Sequence, residues 1–142
     1  MYISDAKRLT TEGARKIKNA AVKAAEKAGI PITVAVVDGG GHLLVLERMD
    51  GGKFHSVHSA TTKAVCAASN KRNTGATGAV GQSLDALHAL GLALAAGPER
   101  WTAMEGGIPV MAGSECIGGV GVAGGNWEFD EKVAREAAEA IK

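Results

Sequence analysis

The stretch from Gly52 to Ala67, GKFHSVHSATTKAVCA, concentrates the residue types best suited to chemistry. His55 and His58 stand three apart, and Lys63 and Cys66 follow within two or three turns if the segment is helical. A neutral imidazole ligates metals and exchanges protons near neutral pH, and a thiolate is a second soft ligand. On a helix at about 100° per residue, His55, Ser59, Thr62, Cys66, Ser69 and Asn73 form one stripe, with His58 at its margin. Val57, Ala60, Ala64 and Ala68 fall on the opposite side. That stripe is neither a charged solvent face nor a core face; it has the character of a pocket wall or a subunit interface. His55 and His58 are therefore the candidate metal ligands, although a closed zinc site takes four ligands and this helix carries no Asp or Glu. The competing structural reading is two exposed or interface histidines.

Four further groups qualify as candidate binding residues. Lys63 can neutralise a ligand carboxylate or pair with Glu47 or Glu105, and Arg48 can clamp a carboxylate with its planar fork or pair with Asp50. Glu105, Gly106 and Gly107 open the run EGGIP, where glycines permit close approach of a ligand or of another backbone. The run GGVGVAGG lacks the strand–GxGxxG–helix context of a phosphate loop and reads as a strand whose glycines admit a neighbour. His42 follows three glycines in a turn and reads as exposed; His88, among Leu84, Leu87 and Leu90, reads as a packed helix residue.

The elements that must position these groups are legible from periodicity and punctuation. Residues 5–28 carry apolar residues at helical spacing, starting near Asp5 or Thr10 and stopped by Gly29 and Pro31. ITVAVVD and HLLVLERM flank DGGG as a β-hairpin. Residues 54–70 form the second helix and 83–96 a third, with a Gly-, Ser- and Thr-rich loop between them. TAME, IPVMA and CIGGVGVAG then read as three strands, and residues 126–142 as an amphipathic helix capped by Asp130. The order α-β-β-α-α-β-β-β-α, with short turns between strands, implies an α+β domain whose antiparallel sheet of about five strands carries packed helices.

Composition narrows the function classes. The 142 residues suffice for one domain, residues 1–142, and a net charge of +1 with no basic run gives no electrostatic case for nucleic acid. No apolar run reaches the ~20 residues of a membrane span, and the N-terminus lacks a secretory apolar segment, so the chain reads as cytoplasmic. Cys66 and Cys116 then read as free thiols. With 20 glycines, well above the usual ~7%, and five aromatic residues, the core must rest on small and branched aliphatic side chains.

Taken in order, VVDGGGHLLVLERMDGG, SATTKAVCAASNKRNT and MEGGIPVMAGSECIGGVGVAGGNWEFDEKVAREAA resemble the GlcG/HbpS-like family of haem-binding proteins, which includes the C-terminal domain of PduO cobalamin adenosyltransferases. The resemblance runs from about Ile32 to Ala140. It implies a profilin-like fold, homo-oligomers and, for some members, binding of haem or a related tetrapyrrole. One departure stands out: where the family commonly has GAIGVSG this chain has GGVGVAG, so Ala123 replaces a serine. Under this resemblance the expected function is storage, delivery or protection of a tetrapyrrole. His55, His58 or Cys66 would be the iron ligand, and Lys63 or Arg48 would face its carboxylates. The alternative is a small catabolic enzyme, an isomerase or hydratase acting on an organic acid, with His55 or His58 as acid/base. The pocket lining separates the two, because a porphyrin needs a broad apolar slot and aromatic residues are scarce; Met49, Met104 and Met111 are the available substitutes.

Overall fold

A computed structural model describes the whole chain, residues 1–142. Helix α1 (Thr11–Ala28) leads into strands β1 (Thr33–Asp38) and β2 (Leu43–Arg48), then α2 (Ser56–Asn70) and α3 (Ala86–Ala96). Strands β3 (Gly107–Ala112) and β4 (Glu115–Ala123) precede α4 (Trp127–Ala138), which ends in a 3₁₀ turn over Glu139–Ile141. The α+β class and antiparallel pairing hold. The sheet has four strands in the order β2-β1-β4-β3, one fewer than the expected five. The missing strand is the TAME segment, Thr102–Glu105. There the Thr102 hydroxyl accepts the Met104 N–H at 3.0 Å in a local turn, and Gly106, at φ +120°, redirects the chain before β3 begins. Local side-chain bonding of this kind competes with a sheet ladder.

Helix starts follow their caps. Thr10 caps α1, its hydroxyl accepting the Gly13 N–H at 3.0 Å, and Gly29 closes the helix at φ +71°. Asn126 caps α4 by accepting from the Phe129 N–H at 2.8 Å. Asp130, expected to be that cap, lies instead in the first turn of α4 and is buried.

Two layers of helix enclose the sheet. Helices α1 and α4 cover one face over a core that includes Ile17, Val34, Val36, Val120 and Val122. Helix α2 covers the other face with Ala60, Ala64 and Ala68 against Ala35, Val37 and Ala123. The second contact is unusually close. A Cβ on Gly121 would fall on the Ala60 carbonyl oxygen, one on Gly119 on that of Ala64, and one on Gly107 on that of Lys63. The expected role of the glycine-rich strand, admitting a close neighbour, is realised by the backbone of α2.

An ion pair ties α2 to α4. Lys63 Nζ lies 3.3 Å from Asp130 Oδ2 and donates to the Val122 carbonyl at 2.9 Å. Asp130 Oδ1 accepts the Gly125 N–H at 2.9 Å. Both residues are buried. Burial pulls the Lys63 ammonium below the ordinary lysine value, against the attraction of Asp130 and of Glu105. Burial likewise pushes the Asp130 carboxyl up, against Lys63 and the Gly125 N–H. Glu47, one expected partner of Lys63, pairs with Lys18 at 2.9 Å instead.

Three outcomes follow for stability. Gly121→Ala forces α2 off the sheet and costs about 3 kcal/mol or more, at the upper end of overpacking penalties, read from urea midpoints. Thr33 is fully buried and its hydroxyl has no partner. Its cross-strand neighbour is Ala123, which offers no hydroxyl to pair with it. Thr33→Val should therefore be neutral or stabilising by about 1 kcal/mol, and a clear loss would mean that the hydroxyl is bonded after all.

Breaking the buried pair gives opposite pH signatures. Lys63→Met and Asp130→Asn should each cost about 3–5 kcal/mol near neutrality. In Lys63→Met the Asp130 carboxyl loses the cation that opposes its desolvation and should be raised further above the ordinary carboxylate value. The folded state then binds the extra proton, and the deficit shrinks on acidification toward that value. In Asp130→Asn the lone Lys63 titrates further below 10.5, so the deficit shrinks on raising the pH. Equal pH slopes for the two variants would remove the pair as the cause.

Candidate functional site

A chemically mixed cleft of about 470 Å³ lies between α2, α3 and the segment Pro98–Met104. Its α2 wall takes Ser59 and Thr62 from the polar stripe read from the sequence, with His58 from the stripe's margin and Lys63 beneath. The opposite wall is Ala89, Leu90 and Ala93 of α3. Trp101, Thr102 and Met104 complete the lining. The stripe faces the cleft because the alanine side of α2 is held against the strand glycines, which leaves the helix one rotation about its axis. A cleft of this size, apolar on one side with a few polar groups on the other, is the usual form of a small-ligand site.

The candidates from the sequence separate into three groups. His58 alone of the four histidines lies on the cleft. His55 is exposed at the start of α2, with its ring edge-on to Phe54 at 6.0 Å between centroids. Lys63 belongs to the cleft floor, but its ammonium is committed to Asp130 and the Val122 carbonyl. Cys66 is buried behind the lining, its thiol 3.7 Å from the Thr102 carbonyl and pushed up by burial. The protonated, desolvated thiol is therefore a poor metal ligand as it stands.

The remaining candidates lie outside the lining. Gly106 and Gly107 are buried beneath Lys63, where a Cβ on Gly106 would meet the Val122 carbonyl and Lys63 Nζ at 2.6 and 3.0 Å. Their role is close packing between α2 and the sheet. Glu105 is half-buried beside them and acts on Lys63 through its charge. Arg48 is exposed on β2, an edge strand. His42 is exposed as expected, with Nδ1 3.2 Å from Asp38 Oδ1. His88 is a correction: it is exposed and sits 2.9 Å from Asp85, because the leucines around it face outward rather than into a core.

No cluster of three or more His, Cys, Asp or Glu side chains is placed to hold a metal ion. No helix is long and apolar enough to cross a membrane. Sequence reasoning missed the α3 wall and the pairing of Lys63 with Asp130. The first had a signal in the charge-free run Ala86–Ala96. The second had none, because 67 residues separate the partners.

Comparison with known proteins bears on the same elements. The family described as haem-degrading protein HbpS-like matches residues 9–139. Protein GlcG of Escherichia coli K12 is 34% identical over 114 residues, covering 80% of each chain. The crystal structure of Klebsiella pneumoniae ORFY superimposes with a TM-score of 0.85 at 32% identity, covering 99% of this chain and 96% of that one. The haem complex of PduOC superimposes with a TM-score of 0.81 at 29% identity, covering 96% of both. The match to nearly the whole chain, with relatives above 30% identity across most of their length, places this protein in the HbpS-like family, alongside GlcG.

Proposed function

We propose that this chain binds haem or a related tetrapyrrole in the cleft between α2 and α3, and that it stores, delivers or protects that cofactor. The observation that carries the reading is the cleft itself. It has His58 on a polar wall and faces Leu90, Ala93, Trp101 and Met104. Imidazole is a suitable axial ligand for haem iron, and the tryptophan and methionine supply apolar contact for a flat macrocycle. A structural relative, PduOC, has been crystallised with haem, which supports the same ligand class here.

The chain fits this group at the iron ligand and the apolar walls. Its carboxylates are served less directly, because Lys63 is held by Asp130 and Arg48 lies on β2. Bound haem would supply a redox-active iron. The chain's own residues would orient the ring, offer an imidazole and exclude water from one face. Helix α3 has no buried residue, and a wall so lightly held suits release of a ligand better than permanent retention. The rival reading, an enzyme acting on an organic acid, finds little support in the cleft. His58 is present as an acid/base group, but the lining offers no uncommitted lysine or arginine to hold a carboxylate.

Titration with hemin, followed at the Soret band, tests the proposal. The expected result is saturable, near-stoichiometric binding that His58→Ala weakens by about tenfold or more, close to 1.4 kcal/mol, and that His55→Ala leaves intact. Binding unaffected by His58→Ala would move the ligand elsewhere. Absence of saturable binding would retire the tetrapyrrole reading.

A further inference from the structure

Most side-chain nitrogen and oxygen atoms in the cleft lining are already engaged. Ser59 donates to the His55 carbonyl at 3.3 Å, and the Thr102 hydroxyl accepts the Met104 N–H at 3.0 Å. Lys63 is held by Asp130 and the Val122 carbonyl. His58 is reserved for iron under the proposed function. Two groups are left, the Thr62 hydroxyl and the Trp101 indole N–H. Each residue is only 9% exposed, and neither polar atom bonds to any group of the protein. Thr33 alone has a partnerless polar atom sealed inside the fold. Thr62 Oγ1 and Trp101 Nε1 therefore open outward, and the surface their side chains line is the cleft.

A buried indole N–H ordinarily finds an acceptor, and one left unpaired in a dry site costs about 1–3 kcal/mol. Two such groups opening on one cleft mark where an acceptor atom of the ligand belongs. Their place along α2 fixes which part of the ligand that is. Thr62 lies four residues beyond His58 on the same side of the helix, a rise of about 6 Å. That rise is comparable to the reach from a porphyrin's iron to its rim. Cys66 stands a further turn on, with its thiol 3.7 Å from the Thr102 carbonyl, so Trp101 belongs to the same inner end. His58 lies nearer the exposed start of α2. A ring centred on His58 thus has one rim at Thr62 and Trp101 and the opposite rim at the mouth.

Charge selects the kind of acceptor. The inner end holds one ammonium, Lys63, against two carboxylates, Asp130 and Glu105. An ionised propionate there would add a third negative charge with no free cation to meet it. We propose that the inner end of the cleft is a subsite for a neutral oxygen acceptor, a carbonyl on the tetrapyrrole rim, bound jointly by the Trp101 N–H and the Thr62 hydroxyl. The propionates then point through the mouth into water. Resting on the tetrapyrrole reading, the subsite adds a preference among tetrapyrroles, for a carbonyl substituent opposite the propionates over an alkyl one. An analogue without the acceptor leaves both donors desolvated and unpaired, and sites built this way reject such analogues strongly.

The test uses three iron porphyrins that share their two propionates and carry ethyl, vinyl or acetyl groups on the opposite rim, each titrated at the Soret band. The acetyl compound is expected to bind about tenfold tighter than the ethyl compound, or more. Thr62→Val and Trp101→Phe should each cut that preference about threefold or more by weakening the acetyl compound, while Thr62→Ser keeps it. Thermal midpoints of the unloaded variants report whether each is folded. An acetyl group also withdraws electrons from the iron, so a preference that both variants leave intact is electronic and overturns the subsite. Equal affinity for the three compounds overturns it while the tetrapyrrole reading stands; failure of all three to bind overturns both.

Hydrogen exchange gives a second readout, with the zinc forms of the same porphyrins. The Trp101 indole N–H should exchange about tenfold more slowly under the acetyl compound than under the ethyl one, since only the former supplies an acceptor. Trp127, at 57% exposure, is the internal reference and should not distinguish them. Equal exchange at Trp101 would count against the subsite. Esterifying the propionates reads the orientation: the change in affinity should be the same in Thr62→Val as in the unaltered chain. A loss that depends on Thr62 would place a carboxylate at the inner end and overturn the proposal.

Discussion

The structure depends on how closely α2 lies on the sheet. Carbonyl oxygens of Ala60, Lys63 and Ala64 sit where side chains of Gly121, Gly107 and Gly119 would otherwise project. Contact at this separation is possible only with glycine on the strands, and small alanines on the helix fill the remaining space. Interdigitated packing of this kind tolerates little rotation or sliding. The azimuth of α2 is therefore fixed, and with it the side from which His58, Ser59 and Thr62 emerge.

The Lys63–Asp130 pair is the polar complement of that contact. Lys63 reaches past Gly106 to the end of β4, where Val122 and the first turn of α4 meet it. Two charges taken out of water cost more than they return unless their hydrogen bonds are nearly complete, and here a backbone carbonyl and a backbone N–H help complete them. The pair thus specifies how α4 docks relative to α2 more than it adds net stability. It also removes the cleft's one lysine from ligand chemistry and leaves an imidazole, three hydroxyls and an apolar wall. That set favours a largely apolar ligand with a coordinating centre over a small polyanion.

Helix α3 completes the cleft without joining the core. Its inner side, Ala89, Leu90 and Ala93, faces α2 across the cleft, while Leu87 and Leu94 stand exposed. A helix with so little to hold it can adjust to a ligand in the cleft. The site's far wall is thus the one α-helix with no buried residue.

The sequence by itself determined a great deal. Glycine and proline punctuation, with helical and alternating periodicity, located the four helices, the hairpin and the two later strands. The polar stripe of α2 and the packing role of GGVGVAGG were legible because both are local patterns. The chain order of the family motifs was enough to name the family. Tertiary structure decided the rest. Asp130 proved to be a buried partner of Lys63 and not a cap, since a carboxylate in a first helical turn has the same sequence signature in either role. TAME failed to form a strand because a threonine hydroxyl and the turn at Gly106 outcompeted the ladder. His58 and His55 look alike in sequence, three residues apart; only the orientation of α2 on its glycine bed sends one toward the cleft and the other toward solvent.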